Sequence, residues 1–558
     1  MVMMMIKQSY KLLYKTKYLF AFLMGCELFI LIRIIAVLYR WMTLVEYPSA
    51  DSLLYRTNEM SILYFMIFML VSYEMNSLLR RNNISETLYL YGKAKGHISN
   101  CIVLLFYNIT FTVITIFINV LGYCIKFDAK WKYIWNILCN VCLFYLLSGL
   151  LAILIGTAIS HIKNRKISYI LFVTIGVVLS PMMDIIGGIF YNNELFYKMK
   201  WWISFLPQGL NFVENYYIGF AVQIQKVALM ILWIMSFVIV LQIIYRVRRK
   251  HYIVSGMIWM IALLGCLLPG HELAPSYRLS NWMSYAQQYY SQYDSGEMQE
   301  KYKFTVNKYD MDFSILNQLY AKVRISVEEN NLPEYAFTLY HVYDIKNITD
   351  QNDVELEYIR EGDYLTIVSG ENPISEIVIE YAGNGIPFYS EFCGTFLKSG
   401  IAFYPVSGYH MQYADGKFLD VSSNETEFDV KVHSPKEFFC TLDKVSENEF
   451  CGKAESFTLI EGIYSVEQIE DVTFVYPTLT AFAKPIEEVG RAFIEQMDKT
   501  CEENQIDYSI HNKIVIMDIK MSAEPVASFF SDHMLVYGYQ FDGFVEDKYL
   551  QDFAEGKR

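Results

Sequence analysis

Gly270 to Pro275, "GHELAP", begins as a zincin metal site does, with a His-Glu pair. Such a site takes H-E-x-x-H on a helix. Two imidazoles four residues apart then share one face and bind zinc, while the Glu acts as general base. Here the fifth position is Pro275, which also opposes a helix through the motif. Histidines stand at 97, 161, 251, 271, 341, 410, 433, 511 and 533, and no two are four apart. His271 and Glu272 therefore read as a polar pair in a loop. No G-x-x-x-x-G-K-[ST] occurs either. "YGKAKG" at 91–96 has a Gly-Lys pair without the spacing or the hydroxyl residue, so a phosphate-cradling loop for ATP is not expected. No catalysis, cofactor or metal is expected of this chain.

Three ionisable side chains, Glu27, Arg33 and Asp184, fall inside apolar stretches. A charge there is a functional candidate, because burying it alone costs about 2.5 kcal/mol or more. Glu27 and Arg33 lie about 240° apart around a helix and do not share a face. Arg33 and Asp184 both fall about 8–9 Å below the outer end of their stretches. Their matching depth predicts that they pair, with Pro181 loosening the helix beside Asp184.

The elements that hold these residues follow from hydropathy and charge. About 20 apolar residues cross a bilayer. Seven such segments occur, at 18–38, 61–79, 101–125, 137–159, 167–190, 227–245 and 252–268. The first is too long for a cleaved signal, contains Glu27 and Arg33, and lacks a small-residue cleavage site. Residues 1–270 carry 24 Lys and Arg against 10 Asp and Glu, whereas 271–558 carry 22 against 49. A membrane domain followed by an acidic, polar domain fits this split, and nucleic-acid binding does not. With the N-terminus inside, the inner segments hold 15 Lys and Arg and the outer loops 8. That bias orients the chain with its N-terminus cytoplasmic and 271–558 outside the cell membrane. The aromatic loop 201–220 reads as an interfacial or surface segment.

Beyond about Lys301 the apolar period changes to two. Phe304 and Val306, then Met311, Phe313 and Ile315, then Val323, Ile325 and Val327 alternate with polar residues. "YAFTLYHVYDI", "DYLTIV", "EIVIEYAG", "EFDVKV", "ESFTLI" and "VTFVYP" continue the series between turn signals, which predicts a β-sandwich. Past Pro477, Ile486, Val489, Phe493 and Met497 form a helix face, "KIVIMDIK" reads as a buried strand, and "EPVASFFSDHMLVYGY" as a helix. The expected fold is an α-helical polytopic membrane domain of about seven spans, followed by a β-sandwich ectodomain with a small α/β appendage. The domains are 1–270, a stalk at 271–300, the sandwich at 301–478 and the appendage at 479–558. Cys440 and Cys451 could flank a hairpin and pair, but four cysteines in this half are not a disulfide framework.

The membrane half resembles the permease subunits of bacterial type 2 ABC exporters in its spans, its basic N-terminal segment and its 80–99 loop. Ser85 can cap a short helix in that loop, and Leu88 and Tyr91 share one side of it. The resemblance implies a coupling helix at 84–95 that docks on a separate ABC ATPase subunit, with Glu86 the one acid in a basic loop. It also implies a second permease copy or paralogue in the bilayer. The outer half resembles the N-terminal β-sandwich of aminopeptidase N-type proteins in "YKFTVNKYDMDFSI", "YAFTLYHVYDI", "GDYLTI", "VIEYAG", "IAFYPV" and "FTLIEGIYSV". That family's zinc motif and its G-x-M-E-N motif should follow the sandwich, and neither does. The chain is expected to end before a catalytic domain. The expected function is thus the permease subunit of an export complex, with an outer domain that binds or guides a substrate, a peptide being one candidate, or a partner. A membrane-anchored extracellular peptide sensor or immunity protein without transport is the second reading, and a zinc peptidase the third.

Overall fold

The computed structural model describes residues 2–43, 51–81, 93–127, 130–179, 224–268, 304–479, 485–518 and 527–537, with short gaps inside 304–479, and also a few positions of 201–222 and Tyr289 and Tyr290. The chain divides into two units, Met1–Glu214 with Phe220–Ser276, and Asn215–Gly219 with Tyr277–Arg558.

The first unit is helical. Its helices are α1 (Val2–Lys15), α2 (Lys17–Thr43), α3 (Asp51–Glu59), α4 (Ser61–Arg81), α5 (Lys93–Lys126), α6 (Trp131–Val141), α7 (Ser148–Ile159), α8 (Arg165–Leu179), α9 (Ile224–Tyr245) and α10 (Arg249–Cys266). A wide π turn, Cys142–Leu147, joins α6 to α7 without a break. Among the described residues, five helical segments are long and apolar enough to cross a membrane: Lys17–Thr43, Leu53–Leu79, Lys95–Lys126, Trp131–Ile159 and Ile224–Tyr245. The expected span at 167–190 is described only as far as Leu179, and the one at 252–268 forms α10, whose first turn is basic.

α4 and α7 form the centre of this unit. Tyr64, Phe65, Phe68 and Met69 of α4 and Leu151, Ala152 and Ile153 of α7 are fully buried. Gly156 lets the two backbones meet: a Cβ there would lie 2.3 Å from the Met69 carbonyl oxygen. Close approach at small residues is how helices associate where lipid removes the hydrophobic drive. α2, α5 and α10 instead expose apolar faces, including Phe29, Phe106, Phe117 and Ile261, as a lipid-facing surface would.

The second unit is β-rich. β1 (Val306–Ile315) and β2 (Leu319–Val327) alternate buried and partly exposed residues, which places Tyr309, Met311 and Phe313 in the core. β3 (Glu334–Thr338), β4 (Asp344–Asp350), β5 (Tyr358–Glu361), β6 (Tyr364–Val368), β7 (Glu376–Gly383), β8 (Tyr389–Glu391), β9 (Gly394–Leu397) and β10 (Val406–Ser407) follow. Next come β11 (Tyr413–Ala414), β12 (Lys417–Phe418), β13 (Thr426–His433), β14 (Phe439–Cys440), β15 (Asp443–Ser446), β16 (Glu449–Ala454) and β17 (Leu459–Glu461). Seven strands form one sheet in the order β15-β16-β13-β1-β2-β7-β4. Two four-stranded sheets run β10-β3-β6-β5 and β14-β17-β9-β8. One apolar core links residues from all three, with Tyr309 stacked on Phe428 and Tyr404 on Phe457. Cys440 and Cys451, which could have paired across a hairpin, stand in different sheets and are both free thiols.

β18 (Tyr464–Ile469) and β19 (Val472–Pro477) pair away from the sandwich. They join β20 (Ile514–Asp518), β21 (Ala527–Phe529) and β22 (His533–Tyr537) in a five-stranded sheet ordered β18-β19-β20-β22-β21. Helix α11 (Ile486–Asn504) crosses from β19 to the parallel β20. Pro485 starts it, Glu487 and Glu488 favour its N-terminal dipole, and Gln505 in the left-handed region ends it. Val489, Phe493 and Met497 face the sheet, as their spacing predicts. The expected helix in "EPVASFFSDHMLVYGY" is instead β21 and β22. Met534, Leu535 and Val536 are consecutive and all buried, which suits a central strand covered on both faces.

Candidate functional site

The helical unit carries a seam of buried polar side chains through its apolar interior. At one end Thr57 donates to Asn119 Oδ1 (3.2 Å), Asn58 Nδ2 to Asn140 Oδ1 (3.3 Å), and the Tyr145 hydroxyl to the Thr57 carbonyl. In the middle the Tyr64 hydroxyl donates to Asn108 Oδ1 (2.8 Å), and Asn108 Nδ2 donates to the Leu146 carbonyl of the π turn (2.9 Å). π turns of this kind recur at functional places in helices. Gly149 makes room for Asn108: a Cβ there would lie 2.5 Å from Asn108 Oδ1.

Further along, the Ser72 hydroxyl donates to the Ile153 carbonyl (2.7 Å) and lies 3.1 Å from the Thr157 hydroxyl. Asn76 Nδ2 also donates to Thr157 Oγ1 (3.1 Å), and Cys101 Sγ lies 3.3 Å from it. Asn76 Oδ1 meets His97 Nδ1 at 2.9 Å and accepts from Asn100 Nδ2 at 3.1 Å. His161 Nε2 pairs with the Tyr245 hydroxyl at 3.0 Å, and the His97 and His161 rings are 5.1 Å apart. Beside this end Glu74 accepts from Arg165 (3.0 Å) and from the Tyr169 hydroxyl (2.6 Å). In an apolar bundle buried polar groups need partners within the protein, and the seam supplies most of them from neighbouring helices.

Glu27 of α2 is buried, and its Oε1 has no hydrogen-bond partner among the described residues. It lies within electrostatic reach of Tyr64 and Tyr107. Arg33 is on the exposed side of the same helix, so the two charges do occupy different faces. Asp184, Glu86, Leu88, Tyr91, His271 and Glu272 lie outside the described residues. Among the described residues no group of His, Cys, Asp and Glu is arranged to hold a metal ion. The seam itself is absent from the sequence expectations. Its signal was present, because His97, Cys101, Asn108, Thr115 and Asn119 keep to one face of an otherwise apolar helix.

The β-rich unit brings together two further constellations. Ser399 Oγ lies 2.6 Å from His533 Nε2, and His533 Nδ1 lies 2.7 Å from Asp532 Oδ1. The order is that of a nucleophile relay. Ser399 and His533 are fully buried, however, and Ser399 also pairs with the Thr458 hydroxyl at 2.9 Å. The hydroxyl offers no face to a substrate, and the relay works as a polar clasp between the turn after β9 and β22. The second is the aromatic loop 201–220. Its residues Asn215–Gly219 belong to the β-rich unit. Tyr217 is fully buried, stacks on Phe396 at 5.0 Å and donates its hydroxyl to the Met517 carbonyl at 2.5 Å. Tyr217 is thus a core residue of the β-rich unit and not part of the interfacial surface that the loop's composition predicts.

No protein-family model matches the chain, and no curated protein matches it. Among solved structures it is similar to an M1 zinc metallopeptidase from Deinococcus radiodurans, at 11% identity and a TM-score of 0.29, over 43% of this chain and 61% of that one. It is also similar to an aminopeptidase N family protein from Idiomarina loihiensis, at 8% identity and a TM-score of 0.29, over 44% of this chain and 45% of that one. The chain spans less than two thirds of the length of either. The sandwich assignment rests on the strand pairing described above.

Proposed function

We propose that the chain is the membrane permease subunit of an export complex driven by a separate ABC ATPase, with the β-rich unit binding or guiding a substrate or partner outside the cell. The observation that supports this most is the buried polar seam. A bundle that only anchors a domain has no use for asparagine, histidine, serine and threonine along its centre, since each polar group in a span must find a partner in the protein. A permease whose helices repack during a cycle does have such a use. In this reading seven spans place the N-terminus in the cytoplasm, and 84–95 docks on the ATPase through Glu86, Leu88 and Tyr91. A second permease copy or paralogue completes the complex, and Arg33 meets Asp184 within the membrane.

The test is co-expression with candidate ABC ATPase subunits, beginning with any that is encoded beside this chain. The expected result is co-purification and ATP turnover stimulated by the permease, both lost on Glu86→Lys while the chain still inserts. Unchanged co-purification in Glu86→Lys and in a deletion of 88–95 would remove the docking loop. Failure of any ATPase to associate would favour the membrane-anchored sensor.

A further inference from the structure

The turns between α7 and α8 and between α9 and α10 concentrate positive charge that the described residues leave unneutralised. Residues 160–166 contain Lys163, Arg165 and Lys166, residues 245–251 contain Arg246, Arg248, Arg249 and Lys250, and neither stretch holds an acid. Arg165 is paired with Glu74 at 3.0 Å. The other six are exposed and have no ion-pair partner among the described residues. The fold brings both turns to one end of the helical unit. His161, just beyond α7, meets the hydroxyl of Tyr245, the last residue of α9, at 3.0 Å. Gln242 Nε2 donates to Ser255 Oγ (2.7 Å) and Trp259 Nε1 to Ser236 Oγ (2.9 Å), so α9 and α10 run antiparallel. Arg246, at a φ of 52°, reverses the chain between them.

Like charges packed this densely repel one another unless a partner of opposite sign lies against them. Two features identify that partner. The first is the apolar surface that begins within one turn of the charge. Ile167, Ile170 and Val173 of α8 are exposed, and so are Ile253, Met257, Ile261 and Leu264 of α10. A cationic rim beside an apolar strip matches a phosphate carried on acyl chains. An acidic protein surface would meet the charge and leave the strips uncovered. The second is side-chain chemistry. Three of the six cations are arginines, whose planar forks meet phosphate oxygens in pairs.

We propose that the two turns form one binding surface for anionic phospholipid. The phosphates lie against Lys163, Lys166, Arg246, Arg248, Arg249 and Lys250, and the acyl chains run along α8 and α10. Each basic residue near an anionic bilayer surface is worth about fivefold in affinity, so even half of the six give a strong preference over a zwitterionic lipid. The inference rests on the reading of the helical unit as membrane-embedded. It needs neither the ATPase nor transport, so it and the proposed permease role can fail separately.

The experiment is displacement of a fluorescent phosphatidylglycerol from the full chain in a neutral detergent. The competitors are phosphatidylglycerol, phosphatidylcholine with the same acyl chains, and glycerol phosphate. Phosphatidylglycerol is expected to displace the probe at a concentration about tenfold or more below phosphatidylcholine, and this gap should narrow as salt rises from about 0.1 M to about 1 M. Replacing Arg246, Arg248 and Arg249 together by Gln should shrink the gap about fivefold or more, and replacing them by Lys should keep most of it. If the Gln variant fails to insert, Lys163→Gln with Lys166→Gln gives the same reading. Arg40 and Lys126, in the last turns of α2 and α5, lie at the other end of the unit, because α5 starts where His97 meets His161. Arg40→Gln with Lys126→Gln should leave the gap unchanged. Equal displacement by the two lipids, an equal loss in the Arg40 and Lys126 variant, or displacement by glycerol phosphate as strong as by phosphatidylglycerol overturns the proposal. So does a Gln variant that keeps its lipid preference and loses a co-purifying ATPase, which would make the patch a protein-docking surface.

Discussion

His511 shows how a single side chain can fasten a surface. Its Nδ1 lies 2.8 Å from Asp471 and its Nε2 3.0 Å from Asp498, so both ring nitrogens must carry protons for both contacts to hold. The hydrogen bonds it donates to Asp471 and then to Asp498 push its pKa above the ordinary 6.5. A group whose folded pKa is raised contributes stability that is full below the unfolded value and is lost as pH rises through the folded one. Stability of the C-terminal sheet should therefore fall as pH rises above about 6.5, and His511→Gln should flatten that dependence. Chemical denaturation between pH 5.5 and 9 reads this directly, and a parallel pH profile in both proteins would exclude the clasp. Tyr217 offers a second test. Tyr217→Phe leaves the Met517 carbonyl without its donor, at about 1–2 kcal/mol, whereas Tyr217→Ala also empties the core site, at about 3–5 kcal/mol. An unchanged unfolding midpoint for the alanine variant would mean that the side chain is not seated in that core. Neither His511 nor Tyr217 is legible in sequence. Asp471 and Asp498 are distant in the chain from each other, and an aromatic loop between spans looks interfacial until its partner Phe396 is known.

At the scale of elements, the sequence carried most of the architecture. Strands with one buried face, such as β1, β2 and β6, announce themselves by alternation, and α11 by its 3.6-residue period. The failure at β22 has a physical reason. A run buried on both faces has no alternation, and an apolar stretch of that length fits helix or strand equally until its parallel neighbour β20 decides. The seam was missed for the converse reason: hydropathy averages over a span and hides one polar face. The α4–α7 contact makes this scale testable. Gly156→Leu must displace the Met69 carbonyl or Ser72, and with it the Ser72–Thr157–Asn76 hydrogen bonds. Gly25→Leu, whose added carbon meets nothing within 4 Å, is the matched control. Gly156→Leu should lower the detergent-melting midpoint by several degrees and Gly25→Leu should not. Equal midpoints would show that the two helices do not meet at Gly156.

For the molecule as a whole, the decisive quantity is the parity of its membrane crossings. The charge asymmetry between residues 1–270 and 271–558 reads as a membrane region followed by an acidic one, and the helical and β-rich units follow that division. Five apolar helices among the described residues are long enough to cross, while 167–190 and 252–268 decide whether the total is odd. α10 begins with Arg249, Lys250 and His251, a basic first turn that suits the inner surface, and its remaining face exposes Ile253, Met257, Ile261 and Leu264. A helix that merely lay on the membrane would present one apolar stripe and one polar one. α10 instead has apolar residues all round beyond that first turn, which suits an inserted helix, and a crossing at 167–190 as well would make the count seven. With seven crossings, Lys163, between α7 and α8, and Glu447, exposed between β15 and β16, face opposite sides of the membrane. Cysteines introduced at Lys163→Cys and Glu447→Cys in intact cells should differ accordingly. An impermeant maleimide should label position 447 at once and position 163 only after permeabilisation. If both positions label from one side, the crossings are even in number and the β-rich unit is cytoplasmic.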